Sequence, residues 1–226
     1  MLNEDGFDRW AEDYDGDTAK SDGEGSYPFA GYQRVLNTIA RRVLARGTPR
    51  VLDLGFGTGT LTERFYRAGC QVFGQDFSPE MLAIARGKMP GAGLYLGDLA
   101  QGLAPELAGR EYDCIVATYS LHHLTDGEKV RLLRALRERL RPGGAILIGD
   151  VAFESRAALE ACRAAAGESW DGEEVYFVAD ELREALPGSR FEKLSSCAGI
   201  LTLESACMEA PPVRRGLFRS LFPPSA

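Results

Sequence analysis

Short apolar runs alternate along this chain with longer segments in which apolar residues recur every three or four positions. The runs predict strands at 50–54, 70–74, 94–96, 112–117 and 145–148. The periodic segments predict helices at 30–46, 61–68 and 126–140. This alternation predicts an α/β fold with a parallel sheet, and right-handed crossovers place the carboxyl ends of its strands at one edge.

The two ends of the chain depart from this alternation. Helices are predicted at 155–166 and 180–186, and a tight turn near Gly199 then predicts a hairpin of strands at 191–196 and 200–206. Residues 1–29 are polar and glycine-rich but carry aromatic side chains, among them Trp10 and Tyr14 at helical spacing. Two interpretations stay open for this segment: a helix packed on the domain, or an aromatic lid over a ligand. We expect residues 1–226 to form a single domain.

Composition narrows the functional class. Lys+Arg 26 and Asp+Glu 33 give a net charge of −7, which argues against a nucleic-acid partner. The five cysteines are odd in number and lack a C-x-x-C pair, so neither a disulfide framework nor a zinc site is predicted. No apolar run approaches the roughly 18 residues of a membrane span, so we expect no membrane association and a cytoplasmic location. Both a monomer and a homodimer are compatible with this composition.

The candidate chemistry begins with the stretch at 50–61, RVLDLGFGTGTL. A strand ends near the carboxylate of Asp53, and three glycines at alternate positions, Gly55, Gly57 and Gly59, lead into a helix. Such glycines let the backbone approach a nucleotide, and the following helix directs free N–H groups at it. A dinucleotide fingerprint would require Gly or Ala at position 60, where this chain has Thr60.

Two further carboxylates follow strand ends. Asp76 stands near the offset at which an acid accepts the hydroxyls of a ribose, although an acid beside Ser78 and Pro79 also suits a helix cap. Asp98 follows the third strand and suits the exocyclic amine of a purine, although Gly-Asp turns are common. Together the acids favour a nucleoside ligand without a 2′-phosphate.

Both histidines fall in the loop after the fourth strand, at the ligand edge of the sheet. For His122 the sequence leaves open a contact with cofactor or substrate and a structural hydrogen bond. For His123 we expect a structural role. Because adjacent side chains are expected to point in different directions, no metal pair is predicted here.

These motifs together carry a resemblance. VLDLGFGTG, the acid at Asp76, Gly97-Asp98, the strand-four loop and RPGG at 141–144 resemble the successive motifs of class I S-adenosylmethionine-dependent methyltransferases. FDxWAxxYD at 7–15 and SLHHLxD at 120–126 resemble a subset of small bacterial methyltransferases, many of them uncharacterised. The resemblance implies a Rossmann-like, doubly wound, seven-stranded sheet that is mostly parallel with an antiparallel last strand.

The resemblance also implies roles for individual residues. Gly55, Gly57 and Gly59 would line the methionine moiety, with Asp53 holding the loop or, through water, the ammonium group; Phe56 stands where the family often has a smaller or polar residue. The remaining cofactor contacts implied are Asp76 at the ribose, Phe77 and Met81 near adenine, Gly97, Asp98 and Leu99 at the adenine edge, and Ala117, Thr118 and His122 near the sulfonium. Tyr14 is the candidate to cover the methionine carboxylate or the methyl-transfer site.

The function that follows is methyl transfer from S-adenosylmethionine to a small-molecule acceptor by in-line displacement. Such a reaction needs alignment and exclusion of water more than an acid–base triad. Where the acceptor must lose a proton, His122 or His123 is the base available near neutral pH. A nicotinamide-dependent oxidoreductase and a non-catalytic module that binds the same cofactor are the alternatives.

Overall fold

Strands and helices alternate along residues 26–205, the part of the chain that the computed structural model describes. The strands are β1 (Arg50–Leu54), β2 (Gln71–Asp76), β3 (Gly93–Leu96), β4 (Tyr112–Thr118), β5 (Leu140–Phe153), β6 (Phe177–Val178), β7 (Arg190–Lys193) and β8 (Ala198–Glu204). The α-helices are α1 (Tyr32–Leu44), α2 (Thr62–Arg67), α3 (Pro79–Lys88), α4 (Pro105–Ala108), α5 (Asp126–Arg137), α6 (Arg156–Ala166) and α7 (Ala179–Leu182).

Seven strands form one continuous sheet in the order β3-β2-β1-β4-β5-β8-β7. Strands β1 to β5 pair in parallel with their neighbours, whereas β8 is antiparallel to both β5 and β7. The predicted α/β fold, mostly parallel with an antiparallel last strand, is therefore confirmed. An eighth strand, β6, pairs with the end of β5 and was not predicted, because two residues are too few to show a periodicity.

The sheet reverses its direction of growth between β1 and β4. The chain moves outward from β1 to β3 on one side and then from β4 to β5 on the other, while Leu54 at the end of β1 pairs with Ala117 of β4. In open α/β sheets the crevice outside the carboxyl ends of two such strands is the usual ligand site. The fold thus places the loops after β1 and β4 next to each other.

Apolar layers cover both faces of the sheet. Cys114 and Val116 of β4 pack in a layer with Val35 of α1, whereas Ile115, between them, packs in the opposite layer with Leu133 of α5. Side chains of a strand alternate between faces, so a central strand between two helical layers is apolar along its whole length. Each fully buried aliphatic side chain contributes about 1.5–3 kcal/mol, which holds the loops at the carboxyl edge on a rigid base.

Local signals fix where two helices begin. The hydroxyl of Ser78 accepts the N–H of Met81, and Pro79 occupies the first turn of α3. Thr125 and Glu128 form a capping box at the start of α5. Both helices follow loops at the carboxyl edge, so the caps also set the path of those loops.

Several boundaries differ from the prediction. Strand β5 extends through Arg141–Gly144, because its first residue pairs with Tyr112 before a bulge, and α7 is shorter than the predicted 180–186. The predicted hairpin is present, since β7 and β8 pair antiparallel, but its turn precedes β8, and Gly199 lies within β8 opposite Lys193. A Cβ at Gly199 would lie 2.4 Å from the ring of Phe191, so this glycine permits close approach rather than a turn.

The remaining expectations concern the cysteines, membrane spans and the N-terminal segment. Cys70, Cys114, Cys162 and Cys197 are free thiols, and all but Cys162 are buried. None of the helices described here is long and apolar enough to cross a membrane. Tyr14 and most of the predicted lid at 1–29 lie outside the described residues.

Candidate functional site

A cavity of about 300 Å³ opens at the carboxyl edge, between the loops after β1 and β4. Nine of the residues expected at a cofactor line it: Gly55, Phe56, Gly57, Asp76, Phe77, Met81, Asp98, Leu99 and Thr118. Its wall also contains His123, named above as a possible base, and residues that the sequence did not single out for this site, namely Tyr32, Leu36, Thr58, Thr60, Leu61, Ala100, Tyr119, Ser120 and Leu124. The structure thus brings the ends of four strands, β1 to β4, and α1 to one cavity.

The three glycines of the first loop all have left-handed backbone angles, but their surroundings differ. A Cβ at Gly57 would meet nothing within 4 Å, since this residue faces the open cavity. A Cβ at Gly55 would lie 2.3 Å from the Cβ of Ser120, and one at Gly59 would lie 2.9 Å from Met89. Gly55 therefore permits the loops after β1 and β4 to touch, Gly57 leaves room for a ligand, and Gly59, outside the cavity wall, permits packing on α3.

Asp76 is fixed by the main chain around it. Its Oδ2 accepts the N–H of Gly57 at 2.8 Å, and its Oδ1 accepts the N–H of Ser78 at 3.0 Å. The helix cap that the sequence left as an alternative role belongs to the Ser78 hydroxyl instead. Asp76 is buried but lines the cavity, so its carboxylate presents a fixed acceptor to a ligand.

Asp53 lies beneath the glycine loop and outside the cavity wall. Its Oδ2 accepts the hydroxyl of Thr62 at 2.6 Å, whereas no group of the described chain donates to its buried Oδ1. Burial raises the pKa of Asp53 to about 7; the Thr62 hydrogen bond opposes this rise, and the negative charge of Asp76 adds to it. A buried acid of this kind favours a positive charge nearby.

The loop after β3 supplies a more exposed wall. Asp98 accepts the N–H of Ala100 at 2.8 Å and thereby begins the short 3₁₀ turn Leu99–Gln101. Gly97 does not line the cavity, and a Cβ there would lie 3.0 Å from the side chain of Gln75. Ala117 is likewise buried within β4, outside the cavity wall, whereas the adjacent Thr118 lines it.

The structure places the two histidines differently from the prediction. His123 lines the cavity, whereas His122 is buried and does not. Nδ1 of His122 lies 2.6 Å from Oδ1 of Asp150, and its Nε2 lies 3.4 Å from Oε1 of Glu174. The structural hydrogen bond left open for His122 is therefore present, and His123, for which we expected a structural role, lines the cavity.

The surroundings of the two rings shift the pKa values of His122 and His123 in opposite directions. Burial lowers the pKa of His122, but the carboxylates of Asp150 and Glu174 outweigh it and raise that pKa above its usual 6.5. Burial and the neighbouring His122 lower the pKa of His123 to about 4, so His123 is neutral at pH 7.

The expectation that the adjacent histidines point apart is wrong. Their ring centroids lie 4.2 Å from each other, because both rings fall in a tight 3₁₀ turn, Leu121–His123, rather than in a strand or an α-helix. Glu174 had no sequence signal, since it comes from a polar segment far along the chain. Asp150 was visible only as an acid near the end of the predicted fifth strand.

An aromatic cluster closes the cavity on the side of α1. The rings of Tyr32 and Tyr119 lie 5.0 Å apart, and Phe29 packs against both. Tyr119 has a backbone φ of 50°, uncommon for a residue other than glycine, at the point where β4 enters the loop. Such strain is often found at functional sites, but only a structure shows it.

Comparison with known proteins agrees with this arrangement. The family described as Methyltransferase domain matches residues 51–144. An uncharacterised methyltransferase of Geobacillus kaustophilus (strain HTA426) is 38% identical over 163 residues, which cover 70% of this chain and 73% of that protein. One from Anoxybacillus flavithermus is 36% identical over 155 residues, covering 69% of this chain and 70% of that protein.

Solved structures share the fold. Magnesium protoporphyrin IX methyltransferase from Synechocystis PCC 6803 with bound SAH has a TM-score of 0.62 at 20% identity, over 79% of this chain and 85% of that chain. The DhpI–SAH complex has a TM-score of 0.61 at 20% identity, over 88% of this chain and 93% of that chain. On the sequence relatives, the family match and the fold, this chain belongs to the class I S-adenosylmethionine-dependent methyltransferases.

Proposed function

We propose that this methyltransferase acts on a small-molecule acceptor, which enters the cavity beside Tyr32, Tyr119 and His123. The observation that carries the proposal is the cavity itself. Its wall changes from acids at strand ends on the side of β2 and β3 to aromatic rings and an imidazole on the side of α1 and β4. The first side suits a nucleoside, and the second leaves a separate place for an acceptor.

The residues of the first side fit S-adenosylmethionine. Asp76, held by two backbone N–H groups, is the acceptor for the ribose hydroxyls, and a carboxylate oxygen accepts more than one hydrogen bond. Phe77 and Met81 offer apolar contacts to the adenine, with Asp98 and Leu99 at its edge. The open space over Gly57 accommodates the methionine moiety.

The charge of the site also fits this cofactor. S-adenosylmethionine carries a sulfonium and an ammonium, and the buried carboxyl of Asp53 lies under the loop where we place the methionine moiety. Binding of a cation stabilises the ionised form of a buried acid. Asp53 thereby contributes through the electrostatic potential or through water, since it does not line the cavity.

The chemistry asks mainly for alignment. The bound cofactor supplies an electrophilic methyl group, already activated by the sulfonium charge. The aromatic rings of Tyr32 and Tyr119 exclude water and orient the acceptor. His123 contacts the acceptor from the cavity wall, and His122 is a positioning residue behind it. We keep Tyr14 as the candidate to cover this end of the site.

One of the two alternatives is weakened. Membership of a methyltransferase family decides against a nicotinamide-dependent oxidoreductase. A non-catalytic module that binds the same cofactor is the alternative that the transfer assay below decides. The net charge of −7 argues against a nucleic-acid acceptor.

The test is transfer of labelled methyl groups from S-adenosylmethionine into a fractionated cell extract. We expect label in the small-molecule fraction with the wild-type protein and none with Asp76→Ala. Label confined to the protein or nucleic-acid fraction would overturn the small-molecule assignment.

Calorimetry tests the cofactor side separately. Asp76→Ala removes a fixed, buried acceptor, so we expect affinity for S-adenosylmethionine to fall by about 100-fold or more. Asp98→Ala removes an exposed acid and should cost about tenfold or less. Asp76→Asn, which keeps one acceptor for the neighbouring N–H groups, controls for folding, and unchanged affinity in both Asp76 variants would remove the ribose assignment.

A further inference from the structure

Behind the acceptor end of the cavity lies a cluster of metal-ligating side chains. One potential ligand atom from each of His122, His123 and Glu174 falls within 4.8 Å of the other two. We propose that these three residues bind a divalent transition-metal ion of the zinc type. Two imidazoles and one carboxylate form a donor set that such ions accept, and three protein ligands leave a position for another molecule.

The distances suit a small ion. Two ligands bound to one zinc at about 2.1 Å in a tetrahedral arrangement lie about 3.4 Å apart. Nε2 of His122 and Oε1 of Glu174 are 3.4 Å apart. The ligand atom of His123 lies within 4.8 Å of both of these atoms.

The ligands have the outer hydrogen bonds that metal sites use. Asp150 contacts Nδ1 of His122 at 2.6 Å and thereby leaves Nε2 as the ligand atom. The hydroxyl of Tyr176 donates to Oε2 of Glu174 at 2.6 Å, which leaves Oε1 for the ion. Each of these ligands is therefore oriented by a residue that would not itself touch the metal.

The segments that carry the ligands are tied together by the main chain. The N–H of Val175 donates to the carbonyl of His122 at 2.9 Å, and the Lys129 ammonium donates to the carbonyl of Val175. Lys129 is a positive charge that opposes a cation, but it is also held by Asp126. The carboxylates of Asp150 and Glu174 outnumber it at the ligand cluster.

The position suggests a use that rests on the proposed function. His123 is both a ligand and part of the cavity wall, so the ion would lie beside the acceptor. A bound cation lowers the pKa of a hydroxyl or water that coordinates it. The ion would thus help the acceptor release its proton to solvent water before methyl transfer, since both imidazoles are engaged as ligands.

Metal binding is measured without cofactor or acceptor, so its failure is distinguishable from failure of the proposed function. The full chain, produced without a polyhistidine tag, is stripped with a chelator and titrated with zinc against a chromophoric competitor. Cobalt is titrated in parallel, since its visible absorption reports the coordination. We expect one ion per chain and cobalt bands typical of four or five ligands.

Variants locate the ion. Glu174→Gln keeps the shape of the side chain but removes its charge, and we expect zinc affinity to fall at least tenfold, with the cobalt bands lost or altered; His123→Ala should do the same. Glu173→Gln, an exposed neighbour, is the matched control and should bind as the wild type does. Asp150→Asn should weaken binding by about 10–100-fold. Substoichiometric zinc, or equal affinity in Glu174→Gln, His123→Ala and the wild type, would overturn the site and leave a hydrogen-bonded cluster only.

Discussion

Two buried acids stand on either side of β4 and are held in different ways. Asp53 on β1 and Asp150 on β5 are each about 1% exposed, and each has one oxygen to which no described residue donates. Asp53 takes its hydrogen bond from the neutral hydroxyl of Thr62. Asp150 takes its hydrogen bonds from the ring of His122 and the N–H of Val151.

This difference separates two halves of the site: a cofactor half around Asp53, Gly57 and Asp76, and an acceptor half around His122, Asp150 and Glu174. A hydroxyl does not balance a buried charge, so Asp53 keeps a raised pKa and gains from a cation brought by a ligand. Asp150 already contacts the imidazole of His122, so hydrogen bonds among its own side chains hold the acceptor half in place. The cofactor half is thus completed by its ligand, whereas the acceptor half is a connected network before anything binds.

The largest effect is expected where the halves meet. The N–H of Gly55 donates to Gln75 in the cofactor half, and its Cα faces Ser120, whose hydroxyl donates to the carbonyl of Leu54. Gly55→Ala would force a Cβ to within 2.3 Å of the Cβ of Ser120 at a left-handed backbone angle. We expect the free energy of unfolding, measured with urea, to fall by about 3 kcal/mol through strain and overcrowding.

Gly143→Ala is the matched control for this change. Gly143 has a φ of 77°, and a Cβ there would meet nothing within 4 Å. The control isolates backbone strain and should cost about 1 kcal/mol. Equal losses in both variants would show that contact between the two loops adds nothing to stability.

The cofactor half was the more predictable of the two. Its acids and glycines lie within one or two residues of strand ends, so the regular βαβ pattern was enough to bring Asp53, Gly57 and Asp76 together. The same regularity predicted the order of helices and strands, whereas the antiparallel last strand was implied by the family resemblance and agreed with the predicted C-terminal hairpin. What it did not show was which glycine faces the cavity, because that depends on which side chains approach each Cα.

The acceptor half could not be predicted in the same way. Its network joins residues from three separate segments, His122, Asp150 and Glu174, and the last of these comes from a loop of irregular structure. Which histidine faces the cavity is decided by a single 3₁₀ turn of three residues, which is too short to show a periodic pattern. Hydrogen bonds between polar side chains far apart in the chain were therefore the part of the site that could not be predicted from the sequence.

A second prediction tests whether Asp53 is as poorly balanced as the comparison implies. Its pKa is about 7 in the folded chain against 3.8 without that environment. The folded state then keeps a proton that the unfolded state loses between about pH 4 and pH 7, so the free energy of unfolding falls as pH rises through this window. Asp53→Asn removes this dependence. From pH 5.5 to pH 8, its stability relative to the wild type should rise by about 2 kcal/mol.

Urea titrations at the two pH values measure that difference. Asp98→Asn removes an exposed carboxylate and is the charge-matched control, for which we expect a difference below about 0.5 kcal/mol. Parallel pH profiles of the wild type and Asp53→Asn would mean that the pKa of Asp53 is not raised, and the contrast between the halves would fail.

The smallest effect on stability is expected for Gly57→Ala. This variant tests the comparison most sharply, because it should weaken cofactor binding and leave the acceptor half unchanged. Gly57→Ala meets no neighbouring atom, so the strain at its φ of 55° should lower the free energy of unfolding by only about 1 kcal/mol. The new methyl group nevertheless enters the space where we place the methionine moiety, and calorimetry should show S-adenosylmethionine binding at least tenfold more weakly. Zinc binding should stay at its wild-type value, since Gly57 belongs to the other loop. Weakened zinc binding in Gly57→Ala would show instead that the two halves are coupled.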